Sequence, residues 1–309
     1  MDLYLHLGAH RTGSTTLQIY ARHHARALRS AGVEFWGPLQ IRDGRMEAFF
    51  KAADQVTPAI AKAGRATCTE LQIRIAETGA NALLISDENL LGSMFANVRD
   101  SSFYDDAARR LARLRPAFEG QRLRIGLAIR SYDRHWASSL GYVLQKQRRG
   151  TSQAELASLA GQPRRWRDVI TEIAAVYPDA EIVVWPFEAL VDAPGAVLRT
   201  VIPALSAAPL QACAGHHHPS LSCADLRKAL PYGCARESIL GEGAWSPFDA
   251  DTRAQLRAEY AADIAWLRAG ANNIARYFET EENTSPECIA GRSGLTRGTD
   301  HDQRQRRVG

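Results

Sequence analysis

A three-layer α/β/α domain around a parallel sheet of about five strands is the fold class this sequence predicts. Short apolar runs alternate with longer stretches of helical spacing, and strands that alternate with helices form parallel sheets covered on both faces. The runs are Leu3–Leu7, Val33–Trp36, Ala82–Ser86, Leu123–Ile129 and Glu181–Trp185. Size agrees: 309 residues with 45% hydrophobic content can bury one large core.

In chain order, Leu3, Tyr4, Leu5 and Leu7 read as a buried strand interrupted by His6. Gly8 to Gly13 is a turn with glycine at each end. Thr16 to about Ser30 is predicted helical, with Leu17, Tyr20, Ala21 and Leu28 inward and a stop at Gly32. Val33–Trp36 is the second strand, closed by Gly37-Pro38. Residues 45–79 read as helix in pieces, broken at Pro58 and Gly64. Ala82–Ser86 is the third strand and runs into Asp87-Glu88-Asn89. A helix over Tyr104–Leu114 ends before Pro116, and the fourth strand ends at Arg130. Asp133 is placed as N-cap of a helix reaching about Arg149. Residues 150–163 read as a looser connection. Helix Arg165–Val176, the fifth strand, and helices over Pro194–Leu205, Asp225–Leu230 and Asp249–Ala269 follow. The reading is one domain over 1–280 and a polar, disordered tail over 281–309.

In such a sheet ligands gather at the carboxyl ends of the strands. There the first, third and fourth strands deliver Gly8, Asp87 and Arg130. Strand, glycine turn and hydroxyl-rich helix start make a phosphate cradle, because N–H groups and the helix dipole converge on an anion. Thr12, Gly13, Ser14, Thr15 and Thr16 supply donors, and Arg11 a permanent charge with a planar fork. Gly8 and Gly13 have the separation of a P-loop NTPase cradle, and Thr15 stands where that loop has its metal-binding hydroxyl. The lysine of that pattern is absent, with Ser14 in its place. An ordinary strand–turn–helix corner is the reading without a ligand.

His10-Arg11-Thr12-Gly13-Ser14-Thr15 resembles the 5′-phosphosulfate loop of the PAPS-dependent sulfotransferases, Pro-Lys-Ser/Ala-Gly-Thr-Thr, with arginine for lysine and histidine for proline. Arg130 and Ser138, eight residues on, resemble that family's 3′-phosphate pair; Ser139 is the substitute if the helix phase differs. Val183–Leu198, the segment His216–Ser222 and Pro247–Leu267 resemble further family segments, so the likeness spans residues 1–270. The family's Arg-Lys-Gly motif is not evident; Arg227-Lys228 and Arg236 are weak substitutes.

The resemblance implies sulfuryl transfer from PAPS to a hydroxyl or amine on a small-molecule, carbohydrate or lipid acceptor, releasing PAP without a metal. Arg11 is then placed on the leaving oxygen, and Glu88 takes the acceptor proton with a pKa raised by the donor's charge. Solvation of Glu88 and N-capping by Asp87 is the competing reading. Asp87, His10 and His135 are reserve contacts to the acceptor. Glu188 is read as a local cap or pair. Arg164, Arg165 and Arg167 are read as a solvated face or an attraction for an anionic acceptor. Adjacent histidines 216–218 cannot readily converge on one metal ion. The rivals are a P-loop ATPase or kinase that holds Mg²⁺ through Asp87 and Glu88, and a PAP-binding module without catalysis.

A net charge of +4 from 38 basic and 34 acidic residues suits anionic ligands and falls short of a nucleic-acid binder. Five scattered cysteines without a Cys-x-x-Cys read as reduced thiols. No apolar stretch approaches the about 20 residues of a membrane span. The N-terminus lacks the pattern of a signal peptide, so the cytoplasm is the expected compartment.

Overall fold

In the computed structural model all strands pair in parallel in one open sheet of order β2-β3-β1-β4-β5-β6. The strands are β1 Asp2–His6, β2 Val33–Trp36, β3 Ala82–Ser86, β4 Arg122–Ile129, β5 Glu181–Pro186 and β6 Arg276–Tyr277. The structure describes residues 1–42, 47–51, 55–206, 208–211, 220–237 and 239–279. Met1–Glu279 form one compact unit. The expected tail and histidines 216–218 lie outside the described residues.

Alternation along the strands divides the core into two layers. Leu3, Leu5, Leu7, Ile85, Ile125 and Leu127 face one side and meet Leu71, Leu111, Trp136, Trp166 and Leu256 from helices. Tyr4, Leu84, Ala128 and Trp185 face the other and meet Leu17, Tyr20, Leu28 and Leu198. This is the three-layer α/β/α arrangement. Its sheet has six strands rather than five, because β6 is two residues long and too short to carry a pattern.

Helix boundaries depart from the sequence reading in four places. The first helix divides at His24 into Ser14–His23 and Ala25–Ser30. Pro58–Glu77 is one helix: Pro58 sits in its first turn, Thr57 caps it, and Gly64 is buried inside it. Glycine within a helix costs only about 1 kcal/mol relative to alanine, which tertiary packing offsets. Gln153–Gly161 is helical, capped by the Ser152 hydroxyl on Glu155 N–H at 3.1 Å. Ser131, not Asp133, is the N-cap residue of Tyr132–Gln147, and Asp133 pairs with Arg257 at 2.8 Å.

β1 lies between β3 and β4, so the three polar strand ends named above are neighbours. Beyond His6 the chain still pairs with β4: Leu7 N–H donates to Gly126 O at 3.0 Å and Ala9 N–H to Ala128 O at 3.2 Å. The turn therefore leaves the sheet at its carboxyl edge.

Candidate functional site

A cavity of about 400 Å³ opens at that edge, lined by the turn, the first helix, the segment after β3, Arg130 and the Tyr132–Gln147 helix. Gly8, Arg11 and Gly13 all take left-handed backbone angles, with φ of 92°, 60° and 80°. Glycine adopts these without strain, but for arginine the cost is about 1 kcal/mol. A Cβ on Gly8 would lie 2.7 Å from Glu88 Cβ, so the turn passes directly beneath Glu88. Gly13 is the N-cap residue of Ser14–His23. No side chain caps the N–H groups of its first turn, an arrangement of the kind that suits an anion.

The hydroxyls divide. Thr12 and Ser14 both donate to Ala9 O, at 2.7 and 2.9 Å, and pin the turn. Thr12 does not line the cavity, which corrects its expected role as a ligand donor; Ser14, Thr15 and Thr16 do line it.

The cations meet. Arg11 Nε donates to Ser138 Oγ at 2.8 Å, and Arg130 donates to Arg11 O at 2.7 Å. Arg130 also donates to Ser220 Oγ at 3.2 Å, and Ser220 donates to Ser138 Oγ at 3.1 Å. One hydrogen-bonded chain therefore runs from Arg11 through two serines to Arg130. The guanidinium groups lie against aromatic rings, Arg11 at 5.4 Å from Tyr142 and Arg130 at 4.8 Å from Phe187. Burial pulls the Arg130 pKa down to about 10, opposed by Glu188 and reinforced by Arg11. Burial also lowers Arg11. Both stay charged at neutral pH, and Arg130 Nε is buried without a partner among the described residues. Two desolvated cations and an orphaned donor are the lining that a multiply charged anion satisfies. Helix phase places Ser138 on the cavity, while Ser139 is fully buried elsewhere.

Glu88 lines the same cavity from the end of β3. Its carboxylate accepts from Gln18 Nε2 at 2.9 Å and from Arg42 at 3.1 Å. Burial raises its pKa, but His10, Arg42 and Gln18 outweigh that and hold it below the ordinary glutamate value. The raise expected of Glu88 is one caused by a bound donor's charge; in the protein by itself the groups around the carboxylate hold it down.

Three reserve contacts take other roles. Asp87 is fully buried, receives both Arg42 donors at 2.7 and 2.6 Å, and caps Asn89 N–H at 2.9 Å. It does not line the cavity, which bears out the capping reading. His135 is 1% exposed among Phe103, Tyr104, Trp136 and Trp166, so it is a core residue and not an acceptor contact. His10 does line the cavity, but Tyr104 occupies Nδ1 and Asn89 Oδ1 accepts from Nε2, each at 3.1 Å. Neither nitrogen is left for a proton.

Glu188 accepts from Ser131 N–H at 3.3 Å, a partner 57 residues away rather than the local cap or pair expected of it. Arg164 pairs with Glu172 and Arg165 with Glu259, each at 2.7 Å, and Arg167 approaches Asp263 at 3.8 Å. These pairs sit away from the cavity and staple helices. Arg42, Gln18, Tyr142, Phe187 and Ser220 are contributions that residue-by-residue reading missed. Phe187 and Ser220 lay in segments singled out by their sequence, and the other three did not.

Among the described residues no helix is long and apolar enough to cross a membrane, and no group of three or more histidine, cysteine or acidic side chains could hold a metal. No protein-family model, curated protein or solved structure matches this chain.

Proposed function

We propose that this chain is a sulfotransferase that moves a sulfuryl group from PAPS to a hydroxyl or amine acceptor and releases PAP. One observation carries the reading: Arg11 and Arg130, 119 residues apart, reach one cavity and join through the Arg11 carbonyl. The uncapped helix start and Arg11 suit a 5′-phosphosulfate, while Arg130 with Ser138 and Ser220 suits a phosphate monoester at a second position. PAPS carries both anions, and a mononucleotide triphosphate does not.

The donor supplies the sulfuryl group; the side chains do the rest. Arg11 offsets the charge that grows on the bridging oxygen as the sulfur–oxygen bond to phosphate breaks. An arginine stabilises that charge but hardly protonates it, since a guanidinium holds its proton far above neutral pH. Glu88 accepts the proton of the acceptor as the new bond to sulfur forms. The Mg²⁺-dependent alternative is disfavoured because Asp87 is buried and saturated by Arg42.

The test is calorimetric titration with PAP in the presence of a chelator. Tight binding is expected without Mg²⁺, and Arg130→Ala should weaken PAP about 100-fold, near the cost of a buried charged pair. The same variant should weaken adenosine 5′-phosphosulfate, which lacks the 3′-phosphate, only a few-fold. Equal losses, or binding only of ATP with Mg²⁺, would sink the proposal.

A further inference from the structure

We infer that Gln18 and Arg42 are positioning residues that clamp the two oxygens of Glu88 and set its orientation and basicity for proton removal. This rests on the sulfotransfer reading and extends it to residues with no expected part in the chemistry. Gln18 Nε2 donates to Oε2 at 2.9 Å and Arg42 donates to Oε1 at 3.1 Å. The donors come from different elements: Gln18 from the first helix, Arg42 from the segment after β2. The backbone of Gly8 closes off a third direction, where only a glycine leaves room for Glu88 Cβ.

Gln18 is itself held from behind. It is 5% exposed, and its amide also approaches Ser86 O and Ser86 Oγ at 3.3 and 3.4 Å. Ser86 Oγ in turn meets His6 Nδ1 at 2.8 Å. His6 and Ser86 are partners in the β1–β3 register and both are buried. A buried polar chain therefore runs beneath the phosphate turn from the sheet to the carboxylate. On the other side, Asp87 takes the rest of the Arg42 fork and fixes its direction. A base must lie within about 0.5 Å of its productive position, and packing plus outer hydrogen bonds provide that precision.

The charged and titratable groups around Glu88 are His10 on the turn, Arg42 and Asp87 on either side, Tyr104 behind His10, and His6 below. Burial keeps His6 neutral, with its pKa down at about 4. Burial lowers His10 and raises Tyr104, so neither carries charge at neutral pH. Among the described residues Arg42 is then the one full positive charge in hydrogen-bond contact with Glu88, and Gln18 the neutral donor that completes the clamp. Removing the neutral donor leaves the ion pair in place but frees one oxygen.

The experiment compares wild type, Gln18→Met and Gln18→Glu in two measurements. The first is a ¹³C carboxyl titration of Glu88 in the ligand-free protein, assigned by its loss in Glu88→Gln. The second is the pH profile of kcat with labelled PAPS and an acceptor found by screening, together with PAP affinity. Gln18→Met keeps the length of the side chain without its donor. It should raise the Glu88 titration by about one pH unit, the size expected for a lost hydrogen bond to a charge. The acid limb of kcat should move by the same amount, with PAP affinity unchanged. Gln18→Glu, with two carboxylates in contact, should raise the titration further. A Glu88 titration that stays put in both variants overturns the inference, as does a moved titration with an unmoved kcat profile. Wild-type protein that does not bind PAP overturns the sulfotransfer reading and this inference together. An unmoved titration in a PAP-binding chain overturns the inference alone.

Discussion

Arg11 and Glu88 line one small cavity, and each is tuned by its neighbours. Arg11 is lowered by burial yet remains a full charge, directed by its own left-handed backbone and by Ser138. Glu88 is held ionised, as a base must be. Arg11→Ala should therefore lower kcat by about 100-fold or more, the usual scale for removing a transition-state donor. Glu88→Gln keeps one of the two donor contacts through its single amide oxygen and sets its NH2 against the other donor, without removing a cofactor-binding cation, so PAP affinity should be preserved while transfer falls about 100-fold. Steady-state rates and PAP titration separate the two; wild-type turnover in either variant removes that residue from the mechanism. At this scale sequence reading found the residues that line the cavity better than it found their partners. Arg11, Arg130 and Ser138 were legible because strand end, glycine spacing and the eight-residue interval mark them. The cap made by Asp87 was legible, but its ion pair was not, because its partner Arg42 is 45 residues away and carries no local signal.

The strand–turn–helix element at the N-terminus builds the site by bringing backbone close to a neighbouring side chain. Gly8 combines φ of 92° with a hypothetical Cβ only 2.7 Å from Glu88 Cβ, whereas a Cβ on Gly13 would meet the Phe187 ring at 3.3 Å. A ring edge can give by a few tenths of an ångström; a packed Cβ on a short turn cannot. Gly8→Ala should cost about 1–3 kcal/mol in denaturant unfolding and displace the base, while Gly13→Ala should bear mainly the backbone term of about 1 kcal/mol. Equal costs at the two positions would show that the contact with Glu88 is not the constraint. β3, buried along its whole length, has the expected bounds because a continuous apolar run leaves little choice, and β2 has them too, set off by Gly32 and Gly37 on either side. The division at His24 and the helix over Gln153–Gly161 were missed because exposed, alanine-rich stretches support helix and loop alike until neighbours decide.

At the scale of the whole molecule, three histidines among the described residues are buried neutral: His6, His10 and His135. Burial depresses each, and for His135 the charges of Arg130 and Arg11 deepen the shift. Below their ordinary pKa of 6.5 the unfolded chain binds these protons and the native chain does not. Stability is therefore full above that pH and is lost as the pH falls below it, by about 1.4 kcal/mol per unit for each histidine. His135→Leu, which keeps an apolar core, should reduce the slope of unfolding free energy between pH 6.5 and 5 by about that amount. Urea titrations across that range check it, and an unchanged slope would mean that His135 is protonated in the native core.

By itself the sequence determined the alternation of strands and helices, the parallel sheet, the edge at which polar residues collect, and the two cations on that edge. It could do so because strands covered on both faces demand apolar runs, and polar residues are left where those runs end. Only the tertiary structure decided which polar groups face the cavity and which are spent on one another. Thr12 turns to its own backbone, His135 sinks among aromatic rings, and Ser220 arrives from a distant loop to join Ser138. Those outcomes depend on helix rotation and on partners far along the chain, and a buried donor takes whatever acceptor the fold brings within reach.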